Sequence, residues 1–187
     1  MNSRSIDEVY EKNDAVSAKL QALIDSLDQE QLNRRADGEK WTIGNIVEHV
    51  SIVEARMIGI CAKLLRKAES ENKLADGMIS TSDDFVAKTI EIAQIKLEAP
   101  EIVRPTGDRS VEESIELLKE NRMHLQELKP SFEKFDSTDY RFPHPFLGDL
   151  SAGEWLILIG GHKARHIKQI ERIAGLKKAR PGYEEGV

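Results

Sequence analysis

The sequence predicts an all-α protein built as a four-helix bundle with an additional short helix, and three observations support this prediction. The chain has 187 residues, is 40% hydrophobic and has only 5% aromatic residues, which favours a helical core of aliphatic side chains over a β-sandwich. Apolar residues recur at helical spacing in four long segments, and no segment alternates convincingly like a strand. Two of these segments open with capping-box patterns, Ser110-x-x-Glu113 and Ser151-x-x-Glu154. We expect one domain over residues 1–187, with a core from about residue 5 to 175.

The first two long helices are predicted over residues 5–27 and from Trp41-Thr42 onward. Thr42 is the expected N-cap of the second, and the intervening residues 28–40 are polar. The buried stripe of the second helix is expected to contain Ile43, Ile46, Val47, Val50, Val53, Met57, Ile60 and Leu64. His49 lies on the edge of this stripe.

The middle of the chain is predicted to hold a short helix and the third long one. Residues 69–82 are polar and indicate a loop, whereas residues 83–97 have apolar spacing typical of a helix. Prolines and a glycine break the pattern over residues 99–109, and the third long helix begins at Ser110 and ends before Pro130. The long link between the second and third long helices lets them run parallel, in up-down-down-up order.

The last long helix is predicted from Ser151 to Gly175. The preceding residues 135–150 contain Pro143, Pro145 and Gly148 and are expected to be irregular. Gly175 is a natural residue for the position just past a helix end.

Three histidines are the most informative residues. His162 and His166 are four residues apart and share one helix face, within an apolar stripe. That stripe consists of Trp155, Ile159, His162, His166, Ile170 and Ile173. A buried polar group without a partner costs roughly 2–7 kcal/mol, so both rings need partners, and a divalent metal would satisfy both. His49 lies on the inner edge of another helix and could complete the site. Hydrogen-bonded structural histidines, or a solvated face, are the alternatives.

A site with three imidazole ligands is typical of catalytic rather than structural metal centres, because it leaves a position for water or substrate. Imidazole ligation suits Zn²⁺, Ni²⁺, Cu²⁺ or Fe²⁺. Metal binding requires neutral imidazoles, so the affinity is expected to fall as the pH drops through and below about 6.5.

Four further residues are candidates for supporting the metal or contacting a substrate. Gln169 shares the face of His162 and His166 and could orient a ligand, or be a plain amide at the core edge. Asn45, one turn before His49, either contacts the site or occupies the N3 position of its helix. Arg165 points sideways, where it could meet an anionic group or form a surface salt bridge. His144, just ahead of the last helix, either belongs to a loop fixed by prolines or forms a lip over the metal, with a polar contact or as an occasional ligand.

Other candidates for chemistry are weaker. Glu48 and Glu54 could act as general bases, but neither is clearly on the inner face of its helix. Cys61 continues an apolar stripe, which indicates a buried and inert thiol.

Composition restricts the possible partners. The net charge of −6 and the lack of a basic stripe with interleaved aromatics argue against nucleic-acid binding. A single cysteine rules out an internal disulfide and favours a reducing compartment. We see no signal peptide and no apolar run long enough for a bilayer, so we expect a cytoplasmic protein without a membrane partner.

Two segments resemble DinB-like proteins. Trp41-Thr42-Ile43-Gly44-Asn45-Ile46-Val47-Glu48-His49-Val50 is similar to the tryptophan-led helix that carries the family's first ligand. Ser151-Ala152-Gly153-Glu154-Trp155-Leu156, followed by His162-Lys163-Ala164-Arg165-His166-Ile167-Lys168-Gln169-Ile170, resembles the family's last helix. The similarity runs from about Trp41 to Ile173.

The resemblance implies an up-down-down-up bundle, a homodimer, and a divalent metal held by His49, His162 and His166, with zinc or nickel favoured and iron as an alternative. Asn45 stands where relatives often carry Glu or Gln. If that side chain does chemistry its basic function is missing here, and if it caps the helix nothing is lost.

The resemblance also implies an activity. Characterised relatives include metal-dependent thiol transferases that use bacillithiol or mycothiol, and a thiol-dependent isomerase. We therefore expect a metal-dependent thiol S-transferase that acts on a small-molecule thiol and a small electrophile. A metal-dependent hydrolase and a non-catalytic, metal-stabilised dimeric module are the alternatives, since a fold alone does not define a reaction.

Overall fold

The structure, a computed structural model, describes residues 2–92, 95 and 97–176. Its helices are α1 (Ile6–Asp25), α2 (Gln29–Leu32), α3 (Ile43–Ser70), α4 (Asp83–Ile92), α5 (Val111–Lys134) and α6 (Ala152–Ile173). Its strands are β1 (Asn2–Ser5), β2 (Met78–Thr81), β3 (Arg141–His144) and β4 (Gly148–Ser151). A 3₁₀ turn covers Glu101–Val103. The four long helices form the four-helix bundle that the sequence predicts; these are α1, α3, α5 and α6.

Helices α3 and α5 run parallel. Gly44, at the start of α3, packs against Val111, at the start of α5. Just past the other end of α3, Ala75 donates its amide proton to the carbonyl of Lys134 at the end of α5. The long connection between them, which contains α4, therefore returns the chain to the end where α3 begins.

Helix α6 runs antiparallel to α3 and parallel to α1. His49 near the start of α3 lies beside His166 near the end of α6, and Cys61 in α3 contacts Ala152 at the start of α6. Along α1, Asn13 bonds Leu156 and the later residue Lys19 pairs with Glu171. These contacts confirm the predicted up-down-down-up order.

Two apolar clusters form the core, and a polar layer lies between them. One cluster includes Met57 of α3 and Trp155 of α6, and the other includes Ile46 of α3 and Ile170 of α6. The residues between them on each helix bring polar side chains into the bundle. Buried members of this layer are Asn13, His49, Ser51, Glu54, Asn121, Lys163 and His166. Buried polar side chains are therefore concentrated at the middle of the bundle.

The helix ends largely follow the predicted caps. Ser110 and Ser151 each form the expected capping box with the Glu three residues later, and Thr42 is the N-cap of α3. Gly175 follows the C-cap of α6 with a φ of 74°, a left-handed conformation that glycine adopts without steric cost.

The predicted end of α5 is wrong, and the linker after α1 contains a helix that was not predicted. Helix α5 continues past Pro130 to Lys134, because Phe132 is buried in the core and this packing offsets the backbone hydrogen bond that proline cannot make. The polar linker after α1 contains the one-turn helix α2, closed by a capping box at Asp28. Helix α4 ends at Ile92, and residues 93, 94 and 96 of its predicted extent lie outside the described residues.

The prediction of no strands is also wrong. β1 pairs antiparallel with β2, with Ser3 opposite Ser80, a pairing between distant segments that leaves no local pattern. β3 and β4 form an antiparallel hairpin with Phe142 opposite Leu150. Four-residue strands are too short for alternation to identify. Within residues 2–92, 95 and 97–176, no helix combines the length and apolar character needed to traverse a bilayer.

Candidate metal centre

Three imidazoles converge inside the bundle. His49 comes from α3, and His162 and His166 come from successive turns of α6, where their four-residue spacing places them on one face. The ring centroids of His49 lie 5.2 Å from His162 and 5.0 Å from His166, and those of His162 and His166 are 4.5 Å apart. One nitrogen from each ring lies within 4.8 Å of the other two. The structure thus brings together all three predicted ligands.

A main-chain carbonyl fixes the proton on His49. Its Nδ1 lies 2.7 Å from the carbonyl oxygen of Val103, which can only accept a hydrogen bond. Nδ1 therefore carries the proton, and Nε2 presents a lone pair. The indole ring of Trp41 packs on the imidazole at 4.8 Å between centroids, and only 4% of His49 is exposed. Both contacts hold the ring in one orientation.

A second chain of hydrogen bonds fixes His166. Gln169 donates from Nε2 to the carboxylate of Glu39 at 3.2 Å, and a carboxylate only accepts. The amide oxygen of Gln169 therefore faces His166 Nδ1, at 2.8 Å. Nδ1 must donate, so His166 also offers its Nε2 lone pair. Glu39 is held in turn by Arg172.

The Nε2 atoms of His162 and His166 are 3.2 Å apart. Two imidazole nitrogens at this distance share either one proton or one cation. Two nitrogens bound to one tetrahedral zinc at about 2.0–2.1 Å each are about 3.3 Å apart, so the observed spacing fits a shared cation. In the part of the chain that the structure describes, this is the one cluster of three or more His, Cys, Asp or Glu side chains arranged to hold a metal ion.

Burial keeps these rings neutral. It lowers the pKa of His49 despite the bond to Val103, which acts in the opposite direction. It lowers the pKa of His166 to about 4 and that of His162 well below its usual value, with the neighbouring histidines adding to the effect on both. Removing a cationic imidazolium from water is costly. All three rings are therefore unprotonated at neutral pH, the form that binds metal.

His144 lies near the three histidines but does not join their cluster. Its Nδ1 accepts hydrogen bonds from the amides of Phe146 and Leu147, both at 3.2 Å. The neutral ring therefore carries its proton on Nε2, and burial lowers its pKa to about 4. The ring packs 5.2 Å from Trp155 and is near enough to His162 for its charge to act on that residue.

Asn45 and Arg165 have structural partners. Asn45 completes the capping box of α3, since its side chain accepts from the amide of Thr42 and its own amide donates to the Thr42 hydroxyl. This matches the N3 interpretation of Asn45. Arg165 donates to the carbonyls of Ile92 and Ile95 and so tethers the end of α4 rather than forming the surface salt bridge considered from the sequence.

Glu48 and Glu54 of α3 are more buried than the sequence indicates, and both are engaged. Glu48 accepts hydrogen bonds from Thr106 and Gly107, and Glu54 pairs with Lys163. Cys61 is fully buried, as predicted, and burial raises the pKa of its thiol, which makes it a poor nucleophile.

Sequence reasoning missed the partners that orient the histidines. Val103 acts through its main-chain carbonyl, which no residue type announces. Glu39 lies in a polar linker, and its role as the acceptor for Gln169 follows only from the folded structure, which brings the two residues together. Trp41 was recognised only as the first residue of a family motif, and its packing on the His49 ring was not predicted.

Comparison with known proteins identifies the fold and the family of the chain. The chain is 23% identical over 155 residues to the uncharacterized protein YuaE of Bacillus subtilis (strain 168), an alignment that covers 80% of this chain and 87% of that protein. The solved structure described as the crystal structure of TT2238, a four-helix bundle protein, has a TM-score of 0.57 and 24% identity, over 88% of this chain and 96% of that one. This second likeness concerns the fold. The family model of the DinB superfamily matches residues 13–170, and the chain therefore belongs to the DinB superfamily.

Proposed function

We propose that His49, His162 and His166 bind one divalent metal ion. The observation that carries this proposal is the convergence of three neutral imidazoles, two buried and that of His162 half-buried, whose nitrogens lie within 4.8 Å of one another. Hydrogen bonds to Val103 and Gln169 turn the lone pairs of His49 and His166 inward. Such outer partners are typical of metal-binding histidines, because they fix the tautomer and the ring orientation.

An all-imidazole donor set suits zinc, nickel, copper or iron, and of these we propose zinc or nickel, with iron as an alternative. Three protein ligands leave at least one position for an exogenous group, as in catalytic centres. Among the described residues, no carboxylate or thiolate joins the cluster to close it.

We further propose that the protein transfers a small-molecule thiol to a small electrophile. A bound divalent cation would lower the pKa of a thiol and stabilise developing negative charge. The chain must obtain its sulfur from outside, because its single cysteine is Cys61, which is fully buried. In this proposal the Nε2–H group of His144 donates a hydrogen bond to an acceptor group on either substrate.

A metal-dependent hydrolase has less support. It would need a free general base near the metal, and the two buried carboxylates of α3 are already engaged, Glu48 by a loop and Glu54 by Lys163. A non-catalytic, metal-stabilised module remains the third candidate, and the same experiment separates the three.

The test is a transfer assay with zinc- or nickel-loaded protein. Bacillithiol, mycothiol and glutathione are each incubated with an alkylating electrophile, and loss of free thiol is followed against a His162→Ala variant. The exposed His124 provides a matched control, His124→Ala. Thiol-dependent turnover in the wild type and in His124→Ala, and its loss in His162→Ala, supports the transferase. Turnover of ester or amide probes without thiol would contradict the transferase and support the metal-dependent hydrolase. Metal binding without any turnover would support the non-catalytic, metal-stabilised module.

We also propose that the protein is a homodimer, as its family resemblance implies, and that it is cytoplasmic, as its single cysteine favours. Exposed large apolar side chains at Ile90, Ile102 and Met123 are compatible with a covered surface. Sedimentation velocity of the metal-loaded protein should give twice the mass of the chain, and a monomer at micromolar concentration would contradict the proposal.

A further inference from the structure

Residues 100–107, which we call the strap, lie across the first turns of α3 and contact it at two consecutive residues. The carbonyl of Val103 accepts the proton of His49 Nδ1 at 2.7 Å. Three residues later, the strap meets the carboxylate of Glu48. The strap thus holds the imidazole of His49 through a main-chain carbonyl. Glu48, the residue next to His49, in turn holds the strap.

Glu48 binds the strap with both of its carboxylate oxygens. Its Oε1 accepts from the amide and the hydroxyl of Thr106, and its Oε2 accepts from the amide of Gly107, all at 3.0 Å. Only 2% of Glu48 is exposed. Hydrogen bonds to a carboxylate are stronger than those between neutral groups, and the acceptor carboxylate is buried although Thr106 and Gly107 are exposed. Glu48 is therefore an anchor for the strap.

The strap has a conformation that suits this anchor. Gly107 has a φ of 79°, in the left-handed region that glycine adopts without a steric penalty. Pro100 and Pro105 restrict the backbone on either side of the 3₁₀ turn, in which Val103 donates to the carbonyl of Pro100. With the Thr106–Gly107 end fixed by Glu48, the Val103 carbonyl has little freedom to leave His49.

We propose that Glu48 is a positioning residue for the metal centre, which acts through the strap to keep His49 in its metal-binding tautomer and orientation. The inference rests on the proposed role of His49 as a ligand. It also has a reciprocal consequence, because two coupled equilibria must shift one another by the same free energy. If the strap favours metal binding, bound metal stabilises the strap.

The test compares Glu48→Gln with Glu154→Gln. Glu154 is a matched control, because it is a buried carboxylate that also binds backbone amides, those of Ser82 and Ser151, but it serves the start of α6 and has no contact with the strap. In Glu48→Gln one acceptor oxygen becomes an NH₂ group that faces a backbone N–H. Zn²⁺ affinity is measured by competition with a chromophoric chelator.

We expect Glu48→Gln to bind Zn²⁺ about tenfold more weakly, the lower end of the range for outer partners of metal ligands, and Glu154→Gln to bind it as the wild type does. Unchanged affinity in Glu48→Gln, or an equal loss in Glu154→Gln, would overturn the proposal while leaving the metal centre in place. Failure of the wild type to bind Zn²⁺ would overturn both.

A second measurement needs no variant and decides the matter if Glu48→Gln does not fold. Amide hydrogen exchange is followed in the wild type with and without Zn²⁺. We expect the amides of Thr106 and Gly107 to exchange several-fold more slowly with Zn²⁺, and those of Ser82 and Ser151 to change little. If the exchange rates of the Thr106 and Gly107 amides do not change with Zn²⁺, the proposed coupling between the strap and the metal centre is wrong.

Discussion

Two polar clusters lie side by side in the bundle, one around Lys163 and one formed by the three histidines. Neighbouring residues of α6 contribute to both, but their buried polar groups are paired in different ways. Lys163 donates to Glu54 at 2.6 Å and to Ser17 at 2.5 Å, with 3% of each charged side chain exposed. Ser17 in turn donates to the carbonyl of Asn13. This cluster contains its own positive and negative charge.

The histidine cluster does not balance in this way. Its outward N–H groups have acceptors in Val103 and Gln169, but its inward nitrogens face one another. A neutral imidazole that has donated its one proton outward is an acceptor on its inner side. The comparison teaches that one cluster contains a paired positive and negative charge, whereas the other brings imidazole nitrogens together in an arrangement that a shared proton or a divalent cation can bridge.

Removing one charge from the Lys163–Glu54 pair should have the largest effect, a loss of folding stability. Lys163→Met leaves the Glu54 carboxylate buried without a cation and should lower the free energy of unfolding by about 3–5 kcal/mol. The double variant Lys163→Met/Glu54→Leu removes both charges and should recover most of that loss. Urea unfolding in the presence of a chelator measures both. A single variant as stable as the wild type would show that the pair is not the balanced unit described here.

Removing one imidazole from the histidine cluster should change the affinity for metal rather than the stability of the fold. His162→Ala should lower Zn²⁺ affinity by about 100-fold or more, because losing a ligand costs at least as much as losing an outer partner. His124→Ala, on the exposed face of α5, should leave the affinity unchanged. Isothermal titration calorimetry tests this, and equal affinities in the two variants would refute ligation by His162.

The pH dependence should differ from that of exposed histidines. A proton competes with the metal only below the folded-state pKa, and burial lowers that pKa for all three rings. Zn²⁺ affinity should therefore stay nearly constant through about pH 6.5 and be lost as the pH approaches about 4, the pKa of His166. This window is lower than the one expected from the sequence.

The same lowered pKa values make the metal-free fold less stable as the pH falls, because the unfolded chain takes up these protons first, from about pH 6.5 downward. Ellipticity is therefore followed in the same samples. A tenfold loss of affinity per pH unit that begins at pH 6.5, with the fold intact, would contradict the burial of the three rings.

The smallest effect should come from the outer partner on α6. Gln169→Leu removes the acceptor for His166 Nδ1 and should weaken Zn²⁺ binding by about tenfold. Its exposed neighbour offers the control Lys168→Ala, which should bind as the wild type does. Equal affinity in Gln169→Leu would mean that packing alone orients His166.

Local patterns predicted most of the fold. The caps at Thr42, Ser110 and Ser151 and the apolar stripes located the long helices, because both signals act within a few residues. The strand pairs and the passage of α5 through Pro130 were missed, since they depend on contacts between segments far apart in sequence. Packing of Phe132 in the core, for example, outweighs what proline does locally.

The candidate site was predictable in its centre and not in its surroundings. His162 and His166 share a face through their spacing alone, and His49 could be added because the bundle brings inner faces together. The Val103 carbonyl, the Glu39 carboxylate and the Glu48 anchor could not be foreseen, because each acts through loop geometry. Their roles emerge only when backbone atoms are placed in space.

The most direct test of the shared cation is X-ray absorption spectroscopy on tag-free protein loaded with nickel. We predict one nickel per chain, with scattering from three imidazole rings in the wild type and from two in a His49→Ala variant. A wild-type spectrum with fewer than three imidazoles, or one that His49→Ala leaves unchanged, would contradict a metal centre that joins α3 to α6.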